Sequence, residues 1–312
     1  MKKRKIRKIL IGIAIGLLVV GIGFIIAIPV LVMNSFVNKH VDFHEVYTPG
    51  EFGVDAEPFF VTTSDGLRIS AWEVETEHPK AVVVCLSGIH NPSATIYFGH
   101  ARYFREHGYA TILFDMRAHG NSDGDMICLG YREHLDTRAI VDHIKADPDY
   151  QGVPVVVFGL SMGGATAINS IGEIEEIDGL ISLSAFSSWE DVFYEQMSMQ
   201  APAVLTAMIR PVVRLVSWAK FGVNPWQMRP VNAIEKLGRR PALLMHTRGD
   251  SQVGFANLQR LRERAPAHVE TFVRDADQHF VTYNFADPEQ DPEYAYTILN
   301  FLQRHFPGGD GL

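Results

Sequence analysis

A serine between glycines follows a β-branched apolar run at Val153-Pro154-Val155-Val156-Val157-Phe158-Gly159-Leu160-Ser161-Met162-Gly163-Gly164. The run has the composition of a strand buried on both faces, and Gly164, Ala165 and Ala167 suit a closely packed helix after it. A turn that tight needs glycine on either side of the serine. It lifts the Ser161 hydroxyl clear of the sheet and leaves the Met162 N–H free at a helix N-terminus. Serine is a weak nucleophile at its free pKa, so it needs a base, and the base needs an acid to orient it.

In an open α/β sheet those partners come from loops at the carboxyl ends of strands, where the crevice lies. Asp250 follows the strand Ala242–His246 after Thr247-Arg248-Gly249, and His279 follows Val269–Val273 after a five-residue loop. Asp191, Asp275 and Asp277 are the other acids to weigh against Asp250. Asp277 stands too close in sequence to His279 to face its ring. A second oxyanion donor belongs in the loop after the strand Ala81–Leu86, which reads Ser87-Gly88-Ile89-His90. Gly88 lets that backbone turn toward the serine, so the expected donors are the N–H groups of Ile89 and Met162.

The elements that must position these groups alternate regularly. Strands are expected at Phe59–Thr63, Leu67–Val74, Ala81–Leu86, Ala110–Phe114, around Val155, at Gly179–Leu183, Ala242–His246 and Val269–Val273. Helices are expected at Thr95–His107, Glu133–Lys145, after Ser161, at Phe255–Arg264 and at Pro292–Phe306. That alternation predicts the α/β class, with a mostly parallel central sheet and helices on both faces.

One stretch breaks the rhythm. Residues 187–240 exceed one crossover helix and hold Met197, Met199, Met208 and Trp218 beside Pro202, Pro211, Pro225 and Pro230. They read as helices packed on the core, as a lid over the serine, or as both. In the lid reading Met197, Met199, Met208 and Trp218 supply an adaptable apolar substrate pocket.

Ile9 to Met33 is a run of 25 uncharged residues directly after a basic cluster. It is long enough to cross a bilayer, and the positive-inside rule puts the N-terminus in the cytoplasm and the rest outside. A cleaved signal peptide is the competing reading, but the run is long for one and its exit has no clear cleavage site. The expected organisation is a basic tail at 1–8, an anchor at 9–33, a linker at 34–57 and a catalytic domain at 58–307.

Net charge is −8, and six of the 28 basic residues lie in the first eight positions, leaving 22 against 36 acidic. So acidic a body is a poor nucleic-acid binder. Cys85 and Cys128 read as free thiols, although sequence alone leaves a single disulfide open. Asn121-Ser122-Asp123-Gly124-Asp125 lacks the distant acid of a calcium loop, and the 13 histidines show no metal-ligand spacing. No metal or cofactor is expected.

These features together resemble the serine α/β-hydrolases, over residues 58–307, and within them bacterial membrane-anchored hydrolases related to monoacylglycerol and lysophospholipid lipases. Gly159-Leu160-Ser161-Met162-Gly163-Gly164, the order Ser161, Asp250, His279, and Asp115-Met116-Arg117-Ala118-His119-Gly120-Asn121-Ser122 carry the resemblance. It implies the α/β-hydrolase fold and an ester hydrolase of the carboxylesterase or lipase kind, acting on a small-molecule or lipid ester through an acyl-enzyme. A peptidase on the same triad and a catalytically silent binding fold are the alternatives. Two positions depart from the family pattern: Ala118 where glycine is usual, and Ser87 where histidine usually precedes the oxyanion glycine.

Overall fold

The computed structural model describes residues 2–90, 92–199, 206 and 208–308. Part of the 187–240 insertion, Pro202 included, lies outside the described residues. Eight strands form one sheet: β1 Pro58–Thr62, β2 Arg68–Val74, β3 Val82–Leu86, β4 Ala110–Phe114, β5 Val155–Leu160, β6 Gly179–Leu183, β7 Ala242–Thr247 and β8 Glu270–Arg274. Their spatial order is β1-β2-β4-β3-β5-β6-β7-β8. β1 and β2 join antiparallel, β2 joins β4 antiparallel, and every later pairing is parallel.

The longer helices among the described residues are α1 Lys2–Val37, α2 Phe98–Glu106, α3 His134–Ala146, α4 Met162–Glu173, α5 Trp189–Ser198, α6 Ile209–Phe221, α7 Ala256–Arg264 and α8 Pro292–His305. Alternate residues of the central strands bury on opposite faces of the pleat. On one side Val82, Val84, Leu86, Val155 and Val157 pack with Ile140 of α3 and Ile168 of α4. On the other, Val83, Cys85, Val156 and Phe158 pack with Phe104 of α2 and Ile298 of α8. Both faces are dry, which is why β3 and β5 read as unbroken apolar runs rather than alternating ones. Cys85 and Cys128 are free thiols, both buried.

α1 is long and apolar enough to cross a membrane. It continues four residues past Met33, and within this end Ser35 Oγ donates to the Val32 carbonyl at 2.8 Å. Pro29, Met33 and Val37, at four-residue spacing, are buried against the rest of the chain. Beyond the helix, Val41 N–H donates to the Ala118 carbonyl at 2.8 Å and the Gly120 N–H to the Val41 carbonyl at 2.9 Å. Ala118 itself sits at φ +61°, the left-handed region that explains the usual glycine.

Candidate active site

Ser161 ends β5 and caps α4 at φ 56° and ψ −115°, a conformation that costs an L-residue energy and persists only when its surroundings impose it. Here they do. A Cβ on Gly159 would lie 2.2 Å from the Gly163 carbonyl oxygen, and one on Gly163 would lie 2.2 Å from that of Leu86. The two glycines therefore let β5, α4 and the end of β3 close on one another. The Ser161 N–H donates to the Leu183 carbonyl on β6 at 2.8 Å, tying the turn to the neighbouring strand.

Asp250 and His279 meet at the carboxyl ends of β7 and β8. His279 Nδ1 donates to Asp250 Oδ2 at 2.7 Å, while Asp250 Oδ1 accepts from the N–H groups of Gln252 (2.9 Å) and Val253 (3.0 Å). Burial alone would raise the Asp250 carboxyl. The His279 bond and the two backbone donors outweigh it and hold the group below the usual carboxylate range. The two loops are pinned to each other and to β6: Gly249 N–H donates to the Ala276 carbonyl (2.8 Å), Thr247 Oγ1 to that of Gln278 (2.8 Å) and Ser184 Oγ to that of His279 (2.5 Å).

Asp191 and Asp275 are engaged elsewhere. Asp191 accepts from Ser188 and pairs with Arg210 and Arg260, and Asp275 pairs with Arg248 at the surface. No hydrogen bond joins the Ser161 hydroxyl to His279 among the described residues. Bonds of this kind are often long without substrate and tighten in the complex.

Ser161, Ile89 and Met162 border one cavity of about 400 Å³, whose remaining wall is almost wholly apolar. Met162 opens α4, so its N–H has no intrahelical partner. Of the four expected pocket residues, only Met197 on α5 reaches the cavity; Met199, Met208 and Trp218 stand exposed outside it. In their place Phe186, Trp189 and Phe193 form the aromatic wall.

Three further residues escaped the sequence. Val32 and Phe36 of α1 also line the cavity. His246, on β7, has Nε2 donating to the Val253 carbonyl at 2.8 Å, and burial pushes its imidazole below the usual range. A histidine in the strand before an acid is a signal; nothing marks two residues some 125 positions before the serine.

The pattern of the family described as "Serine aminopeptidase, S33" matches residues 77–222. Among curated proteins, the uncharacterised YqkD of Bacillus subtilis is 21% identical over 95% of this chain and 97% of its own length. The uncharacterised membrane protein YNL320W of Saccharomyces cerevisiae is 27% identical over 48% of this chain and 51% of its own. Among solved structures, the Pyrococcus furiosus esterase Pf2001 superposes with a TM-score of 0.64 at 24% identity, covering 85% of this chain and 98% of that one. The α/β hydrolase GrgF from Penicillium gives 0.62 at 16% identity, over 81% and 100%. With a parallel sheet in this order and a glycine-bounded serine at the β5–α4 turn, the chain has the α/β-hydrolase fold.

Proposed function

We propose that this protein is a membrane-anchored serine hydrolase that cleaves carboxylic esters with an apolar acyl group. The observation that carries this reading is the 2.7 Å Asp250–His279 bond at the sheet edge where a strained Ser161 borders an apolar cavity. Ser161 Oγ attacks the ester carbonyl as His279 Nε2 takes its proton. The Asp250 carboxylate holds the imidazole by its other nitrogen and stabilises the imidazolium. The N–H groups of Ile89 and Met162 receive the oxyanion. As the tetrahedral intermediate collapses, the carbonyl–alkoxy bond breaks and the imidazolium protonates the departing alcohol. Water, deprotonated by the same imidazole, then attacks the acyl-enzyme and releases the acid.

An aminopeptidase on the same triad is the second reading, and the matched family description motivates it. Such an enzyme needs a carboxylate to receive the substrate's ammonium group. Among the described residues none lines this cavity, whose only side-chain polar groups besides Ser161 are those of Gln196, Gln252 and the Trp189 indole. That composition favours an acyl chain. The uncharged run in α1 after a basic cluster supports an anchor with the N-terminus in the cytoplasm and the catalytic domain outside.

The test uses the full chain in detergent. A fluorophosphonate probe is expected to label wild type and leave Ser161→Ala unlabelled. p-Nitrophenyl esters are expected to turn over far faster than aminoacyl anilides. Folded wild type that resists the probe would point to a silent binding fold, and preferential anilide cleavage to a peptidase.

A further inference from the structure

α1 has 36 residues, a length of about 54 Å at about 1.5 Å per residue. A bilayer core of about 30 Å consumes about 20 of them. Counted from Ile9, the first residue after the basic cluster, the span ends near Ile28, and Pro29 is where the helix first becomes buried. The remaining turns are built into the domain. The Phe36 carbonyl accepts from His90 Nε2 at 2.9 Å, and its ring lies 5.1 Å from His90 and 6.1 Å from Trp189. The Val37 carbonyl accepts from the Ile127 N–H at 2.9 Å, and Asn34 Oδ1 from Lys220 Nζ at 2.8 Å. Val32 and Phe36, in these same turns, face the cavity that holds Ser161.

A tether would need none of this. We propose that the end of the anchor helix is one wall of the acyl pocket, so that the pocket opens at the bilayer surface and its substrate is an acyl ester resident in that leaflet. This rests on the ester-hydrolase reading above and adds to it the place from which substrate comes.

A second observation sets the depth. α6 packs against α1 and turns Ile209, Val213, Ser217 and Phe221 inward. Its exposed stripe is Met208, Pro211, Leu215, Trp218, Ala219 and Gly222, without a charge, and Leu215 and Trp218 are 55% and 53% exposed. A surface helix normally shows water its polar face. Beside a membrane span an apolar outer stripe has a solvent, the headgroup and upper acyl region, and a tryptophan is suited to that boundary. Arg210 and Arg214, flanking the stripe, are drawn back into ion pairs with Asp191 and Glu190.

The full chain is reconstituted into phosphatidylglycerol–phosphatidylethanolamine vesicles, with and without brominated acyl chains. Brominated lipid is expected to quench a part of the tryptophan emission that Trp218→Phe removes; quenching identical in the two proteins would overturn the placement. Val32→Trp narrows the proposed wall, and its ratio of decanoyl to butyryl p-nitrophenyl ester hydrolysis is expected to fall at least tenfold. An unchanged ratio would overturn the wall. Leu215→Ser/Trp218→Ser is expected to slow hydrolysis of a fluorogenic diacyl ester in the same vesicles at least fivefold while leaving butyryl ester turnover within twofold; equal effects on both would also overturn it. If no ester is turned over and Ser161 resists the fluorophosphonate, the hydrolase reading falls, and the quenching still decides where the pocket mouth lies.

Discussion

The carbonyl of Phe36, in the last turn of the apolar N-terminal helix, accepts a hydrogen bond from His90 Nε2, one residue beyond the proposed oxyanion donor Ile89. His90 is held at φ 64°, and its own N–H donates to His119 Nε2 at 3.3 Å. His119 must therefore carry its proton on Nδ1, which donates to the Arg117 carbonyl at 2.9 Å. The Ile89–His90 loop thus hangs between the end of α1 and the turn after β4.

Loss of that tie is expected to appear in turnover. Burial keeps the His90 imidazole below its usual range, against the raising effect of the Phe36 carbonyl, so it serves as a neutral donor. One such bond is worth about 1 kcal/mol in stability, but a displaced oxyanion donor costs about 100-fold or more in kcat. His90→Ala is expected to lower kcat by about 10- to 100-fold with the fold retained. His90→Gln, whose amide can still donate, is expected to recover part of it. Steady-state kinetics with circular dichroism separates the two effects, and wild-type kcat in His90→Ala would remove the tie from the mechanism.

The proposed base, His279, cannot be replaced by its neighbour. His246 Nε2 lies 3.7 Å from Asp250 Oδ2, but it is committed to the Val253 carbonyl and buried. His279→Ala is therefore expected to lower kcat by about 10⁴ or more, with His246 intact and no rescue. Stopped-flow burst amplitude is the measurement, since acylation itself should fail; a burst of wild-type size would assign the base elsewhere.

Gly163→Ala probes the elbow. The added Cβ would stand 2.2 Å from the Leu86 carbonyl oxygen and 2.4 Å from that of Ser87, both backbone atoms at the end of β3. Either β3 moves, carrying the Ile89 loop with it, or α4 does. Fluorophosphonate labelling of the folded fraction is expected to fall at least tenfold, and labelling at the wild-type rate would show that the turn tolerates the methyl.

The placing of Ser161, Asp250 and His279 at one edge was legible because each stands a few residues after a predicted apolar strand, and strand ends in a parallel sheet share one edge. The central strands β3 and β5 were the plainest, because burial on both faces leaves no polar residue to blur their runs. The pocket was not legible. Met199, Met208 and Trp218 are as apolar as Met197, yet only Met197 turns inward. Composition separates apolar from polar side chains but does not say which apolar side chain turns inward. Phe36 carried no mark because its role depends on a helix docking far along the chain from the serine.

The loop after His279 is fastened by Asp291, and that fastening should fail in acid. Arg274 Nη1 and Nη2 both donate to this carboxylate, the second at 2.9 Å, and the Tyr283 N–H reaches it at 3.2 Å. Burial alone would raise the Asp291 carboxyl; the Arg274, Thr282 and backbone donors bring it down to about 2. A folded-state value below the unfolded one means the stabilisation is fully present above about pH 4 and is lost as pH falls toward about 2. Asp291→Ala also strands a buried guanidinium, leaving it only the exposed Glu293 at 3.1 Å, so a loss of about 3 kcal/mol is expected at neutral pH. Guanidinium unfolding at about pH 7 and about pH 3 checks both parts. The wild type is expected to lose stability between them, and the variant to start lower and lose less. Parallel pH curves for the two proteins would show that this carboxylate does not set the acid limit.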